Sequence, residues 1–337
     1  MTSKRFFYLV PAETRHRLVT ETRLQHLRRL LFDRRRRYPT GGVKVIYQHC
    51  EMLLDAGFTA HPVHLGDFVI DWYDHQCRPL SVAEARAMMR ADDVLVVPER
   101  LPAVAAQFTC GTKVAFVQNH GLVAAALQGR RYADFGFTDL LCCGTFVAGT
   151  LADQAPLPCH VVTNGIDLDK FVPAPDLRRP DTVLILRRKA SWPLGLQAIG
   201  RLPQEIRTRL AVRVLPNTAS ETQMIRRYQE SDIFLALGFP EGFALPPLEA
   251  MACGCVVAGF AGGGGISHMR HETSALVVPD GDVTALAAAL ERLAREPDLK
   301  ERLRAGGQAV AQGFGLAAMR AAVLAFAETM QRRMTSS

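Results

Sequence analysis

Residues 233–258 read IFLALGFPEGFALPPLEAMACGCVVA. The apolar run 233–237 ends in a Gly-Phe-Pro-Glu-Gly loop, and a second apolar run occupies 255–258. Between them stand Pro246 and Pro247, where a helix start accepts proline because its first N–H groups have no intrahelical partner. Strand, loop, helix and strand in so short a span predict a parallel sheet covered by helices. The N–H groups of Phe243, Ala244 and Leu245 point out of such a helix start. With the helix dipole they suit an anion such as a diphosphate. Glu241 stands just before this site and Glu249 inside the helix. Neither carboxylate can neutralise a phosphate, but each can accept hydrogen bonds from the hydroxyls of a sugar or ribose.

The same alternation runs outward in both directions, giving an α/β chain. Strands are expected at 6–10, 59–64, 94–97, 114–118, 140–143 and 160–163, with helices near 42–56, 81–90, 102–108 and 146–153. Gly57 stands where a C-cap glycine closes the first helix. The stretch 171–181, FVPAPDLRRPD, has three prolines and no periodicity, as linkers do. Strands then resume at 183–186, 212–215, 233–237, 255–258 and 275–278. Helices are expected near 193–201, 221–230, 247–252, 283–295, 299–306 and 316–333. This organisation predicts an N-terminal Rossmann-like domain over 1–170, a second over 182–315 and a C-terminal helix over 316–337. Ligands of open α/β sheets bind at the carboxyl ends of the strands.

The 337 residues are 48% hydrophobic and 22% charged, which excludes a wholly disordered chain, a collagen-like fibre and a small disulfide scaffold. The early apolar run 6–11 is far short of the ~20 residues a membrane span needs, so a cytoplasmic location is expected. None of the eight cysteines forms a C-x-x-C pair, and they read as small buried hydrophobes in a reducing compartment. Charge is concentrated at the front: residues 1–37 carry eleven Lys or Arg against three acids, a net of +8, and the remainder sums to −1. Within an Arg-rich insertion over 12–39, Leu24, Leu27 and Leu31 follow helical spacing. Arg28, Arg29, Arg34, Arg35, Arg36 and Arg37 flank them. Three readings stay open: an anionic membrane surface, an anionic acceptor, or a solvated helix packed on its own domain.

The segment E-G-F-A-L-P-P-L-E, 241–249, resembles the E-x7-E block of family-4 retaining glycosyltransferases of the GT-B fold. Other stretches match in the family's order. Gly41-Gly42 resembles the glycine pair opening the first helix. Asn164-Gly165-Ile166-Asp167 with Phe171 resembles the N-G-[IV]-D-x-x-x-F segment, and 278–282 resembles the closing v-P-x-G-D loop. The resemblance spans about residues 40–315. It implies two Rossmann-like domains across a cleft, the C-terminal helix crossing back to the first. It also implies roles. Glu249 binds ribose hydroxyls, Glu241 sugar hydroxyls, and the amides of Phe243, Ala244 and Leu245 hold sugar and diphosphate. Gly41 and Gly42 face the donor. Arg188, ending the run VLILRR, clamps the diphosphate, and Lys189 is the candidate second cation, although the family's lysine stands several residues later. His120, after the strand 114–118, matches a histidine that bonds the donor sugar in related enzymes. With Glu241 and Arg188 it completes the catalytic set.

The implied reaction moves a sugar from a nucleotide sugar to an acceptor hydroxyl with retention, the leaving phosphate taking the proton. No cofactor is expected, because the D-x-D strings 167–169 and 280–282 fall inside the structural segments just named. A glycolipid, a polysaccharide or another anionic acceptor is expected, with peripheral contact to an anionic membrane as one role for 12–39. The rivals are a nucleotide-sugar epimerase or hydrolase, a transferase acting on modified nucleic acid, and a non-catalytic nucleic-acid or membrane-binding protein. Gly262 to Gly265 reads either as close backbone approach or as a mobile loop. The span 202–220 looks short, as if a strand–helix pair were trimmed.

Overall fold

The computed structural model describes residues 5–11, 40–216 and 218–333. It divides into two units. In the first, the described strands are β1 (Arg5–Val10), β2 (Thr59–His64), β3 (Leu80–Ser81), β4 (Val94–Pro98), β5 (Thr112–Val117), β6 (Phe137–Cys142) and β7 (Cys159–Val161). Their order is β3-β2-β1-β4-β5-β6-β7, with every pairing parallel. The helices are α1 (Gly41–Asp55), α2 (Val82–Met88), α3 (Val123–Leu127) and α4 (Thr145–Leu151), whose first turns fall to the second unit. Phe6 to Val10 and Val94 to Val97 are buried, as central strands of a parallel sheet covered on both faces must be. Gly57 closes α1 with φ +82°, a backbone that costs glycine little.

The second unit holds β8 (Thr182–Leu186), β9 (Ala211–Leu215), β10 (Ile233–Ala236), β11 (Val256–Phe260) and β12 (Ala275–Val278), in the order β12-β11-β10-β8-β9. Its helices are α5 (Pro193–Gly200), α6 (Gln204–Arg207), α7 (Glu221–Glu230), α8 (Leu245–Ala252), α9 (Val283–Arg295) and α10 (Pro297–Ala311). Leu286, Leu290 and Leu293 of α9 meet Val183, Ile185 and Val256 of the sheet in one apolar cluster. β9 is an edge strand, and the chain runs from it straight to α7 through one short connection.

The chain changes unit after Cys142, Gly149, Val162 and Met319, so 163–181 belongs to the second unit instead of forming a linker. Backbone bonds explain this: Ile166 N–H donates to Phe314 O at 2.8 Å, and Asp181 N–H donates to Asp232 Oδ2 at 3.1 Å. A further helix, α11 (Leu316–Arg332), ends in the first unit. There Phe326 packs on Phe6, and Arg333 donates at 2.5 Å to the fully buried Asp139. Six of the eight cysteines are buried, whereas Cys110 is half-buried and Cys159 exposed.

Candidate functional site

The site in the second unit grows from the loop between β10 and α8. α8 begins at Leu245, two residues ahead of the expected start, so that both prolines fall in its first turn. Ala244 precedes it with φ +61°, a left-handed backbone that strains a residue with a Cβ. Arg188, Gly238, Glu241, Ala244, Pro246 and Pro247 line one narrow pocket. The structure thus brings Arg188, Glu241 and the helix start together. Lys189, with φ +54°, points its ammonium at Glu241, 3.3 Å from Oε2, and also donates to Pro240 O.

Glu249 lies one turn inside α8 and is buried. The hydroxyl of Tyr228, from α7, donates to its Oε2 at 3.2 Å. Burial pushes the Tyr228 hydroxyl well up, and the charge of Glu249 adds to this while Arg188 opposes it. Arg188 therefore acts on the Tyr228 hydroxyl as well as lining the pocket. Tyr228 has no place in the sequence reading. The tyrosine of ETQMIRRYQE looks like an ordinary core residue until α7 is seen against α8.

The glycine run is held, not loose. Glu241 N–H donates to Gly262 O at 2.7 Å, and Gly264 N–H donates to Glu241 O at 2.9 Å. A Cβ on Gly264 would lie 2.0 Å from Gly242 O, so this is backbone packed on backbone. Phe243 is fixed from its side-chain end, with its ring 5.3 Å from His268 and 5.8 Å from Phe314. Burial lowers His268 to about 4, so its ring is neutral at ordinary pH. The aspartates of both D-x-D strings make backbone bonds. Asp167 accepts from Asp169 N–H, Asp280 accepts from Gly262 N–H, and Asp282 caps α9 through Ala285 N–H.

In the first unit, Gly41 and Gly42 open α1. The Gln118 side chain donates to Gly42 O at 3.1 Å, and a Cβ on Gly42 would meet Gln118 Oε1 at 3.2 Å. Two residues on, His120 is half-buried in a 3-10 turn (His120–Leu122), whose cap Asn119 accepts from Gly121 N–H. Gly42, Gln118 and His120 therefore share the carboxyl ends of the strands. Arg28, Arg29 and Arg34 to Arg37, with the insertion 12–39, lie outside the described residues.

Two Rossmann-like units thus stand in the chain, and the second sets a helix start between Glu241 and Glu249. Residues 202–310 match the family model "Glycosyl transferases group 1". The chain is 34% identical over 106 residues to a D-inositol 3-phosphate glycosyltransferase of Frankia alni, covering 32% of this chain and 26% of that one. It is 25% identical over 210 residues to the protein of the same name from Kribbella flavida, covering 49% and 50%. The chain thus matches half or less of the length of these curated relatives. Sucrose-phosphate synthase of Thermosynechococcus elongatus superposes with a TM-score of 0.71 at 16% identity, covering 99% of this chain and 100% of that one. HepE of Anabaena, solved in complex with UDP-glucose, gives 0.70 at 13% identity, covering 99% and 100%. The fold is the GT-B fold of glycosyltransferases.

Proposed function

We propose that the protein transfers a glycosyl group from a nucleoside-diphosphate sugar to an acceptor hydroxyl, with retention of configuration and without a metal. The observation that carries this reading is the pocket joining Arg188 and Glu241 to the start of α8, with the Tyr228 hydroxyl that bonds Glu249 within electrostatic reach of Arg188. The diphosphate takes the amides of 243–245 and the Arg188 guanidinium, a charge-assisted bond stronger than a neutral one. Glu249 accepts the ribose hydroxyls, and its bond from Tyr228 orients the carboxylate. Glu241 accepts sugar hydroxyls once Lys189 turns to the phosphates. As the glycosyl–phosphate bond breaks, charge grows on the leaving oxygen, where preorganised N–H groups and Arg188 stabilise it, an effect often worth several kcal/mol. That oxygen then accepts the proton of the attacking hydroxyl, and no separate base is required. We assign Gly41, Gly42 and His120 to the donor by the resemblance. Asp167, Asp280 and Asp282 are engaged with backbone N–H groups, which supports a metal-free reaction. A glycolipid, polysaccharide or other anionic acceptor is the partner we propose.

The test is a thermal shift with UDP, GDP, ADP, TDP and CDP, using Glu249→Ala as control. A ligand at about 100 times its Kd adds ~2.7 kcal/mol, a readable rise in Tm. One diphosphate raising the wild type but not the variant supports the reading. No rise with any nucleotide overturns it. Product analysis with and without acceptor then separates transfer from hydrolysis or epimerisation.

A further inference from the structure

Glu99 follows the buried strand β4 directly and is only 4% exposed. An isolated carboxylate in such a place is costly unless it is bonded. Its Oε2 accepts the backbone N–H of Gln118 at 3.2 Å. Its own N–H donates to Phe116 O at 2.9 Å, and its carbonyl accepts the Tyr132 hydroxyl at 3.3 Å. The carboxylate therefore ties the end of β4 to the end of β5. From Gln118 the connection goes two ways: through its side chain to Gly42 O at 3.1 Å, and along the chain to the turn bearing His120.

We propose that Glu99 is a positioning residue: its carboxylate fixes Gln118, and through Gln118 it sets both the glycine start of α1 and the turn that carries His120. The functional consequence rests on the glycosyltransferase reading; the positioning itself does not. Burial pushes the Glu99 carboxyl up to about 7, with the Gln118 N–H and Arg100 pulling the other way. Of the titratable groups facing it, Arg100, next in the chain, lowers it, and Tyr132, from the 3-10 turn Tyr132–Phe135, is itself raised by it. The ionised form is the stronger acceptor for Gln118 N–H, so the turn tightens as pH rises through neutrality.

Amide hydrogen exchange of residues 118–122, in the full chain and corrected for intrinsic rates, tests this without any substrate. In Glu99→Leu, exchange rises by about tenfold, the effect of one lost hydrogen bond to a charged group. Glu99→Gln, whose carbonyl still accepts the N–H, stays close to wild type. Wild-type protection steps up near pH 7, and the Gln variant shows no step. Equal protection in wild type and Glu99→Leu overturns the proposal. If the Leu variant does not fold, a wild-type profile as flat as that of Glu99→Gln overturns it equally. With UDP-glucose as the probe donor, Glu99→Leu lowers the hydrolysis kcat and leaves KM nearly unchanged, and Glu99→Gln restores it. If wild type neither binds nor hydrolyses any nucleotide sugar, the glycosyltransferase reading fails, while the exchange result still decides the role of Glu99.

Discussion

Ala244 is the residue on which the anion site turns. Its φ of +61° directs the chain into α8 at a strain of about 1 kcal/mol. A β-branched side chain there adds crowding, so Ala244→Val should lower stability by about 1–2 kcal/mol, read as a lower urea midpoint. Gly264 works from the other side. With Gly242 O 2.0 Å from any Cβ, Gly264→Ala must push the Glu241 loop away. Diphosphate binding should then fall at least tenfold, by roughly 1.4 kcal/mol, in calorimetry. Unchanged binding in that variant would separate the loop from the site. Tyr228→Phe probes the Glu249 orientation. It should weaken nucleotide binding by less than Glu249→Ala does, since only one hydrogen bond of about 1 kcal/mol is lost.

At the scale of elements, α10 is pinned by charge. Arg304 donates to Asp232 at 2.6 Å and also reaches Gly254 O, and Lys300 holds the other Asp232 oxygen at 2.8 Å. Burial alone would raise the Asp232 carboxyl, but its bonds from Lys300 and Arg304 prevail and hold it below the usual range. Arg304→Leu leaves the buried Asp232 carboxylate with one cation, Lys300, beside the Asp181 N–H, and should cost about 3 kcal/mol. The same network resists neutral pH and fails in acid: a depressed carboxylate stabilises above its unfolded value, and the contribution is lost as pH falls through the folded one. Long elements such as α1, α7 and α9 were readable because they repeat an apolar period several times. β3 has two residues, and α3 and α6 have five and four, so they carry no period to read. The E-x7-E segment was legible because its spacing is local. Tyr228, Gln118 and Glu99 were not, because each acquires its partner only when strands or helices distant in sequence come together. The boundary at 171–181 misled for a related reason: three prolines suggest a linker, yet the backbone there bonds into the second unit.

At the scale of the whole molecule, three buried groups among the described residues act on stability between about pH 4.5 and 6.5. His49 lies between Tyr8 and Phe116 with its ring fully buried, and burial lowers it to about 3. His268 is lowered to about 4. Between those values and about 6.5 the unfolded chain binds protons that the folded chain refuses, so each histidine makes stability rise with pH. Glu99, raised to about 7, works in the opposite sense. Above about 4.5 its unfolded carboxylate has released a proton that the folded one keeps, so stability falls as pH rises toward 7. Near pH 5.5 two of these protons therefore oppose one, so the three groups together contribute about +1 kcal/mol per pH unit. Removing one histidine should cancel that contribution. His49→Phe keeps an aromatic ring against Phe116 and removes the titration, so its stability in urea unfolding should climb by about 1 kcal/mol per pH unit less than that of the wild type over that range. A variant that climbs as steeply as the wild type would mean that His49 is protonated in the folded protein, and that its place on the buried face of α1 holds a partner for the charge.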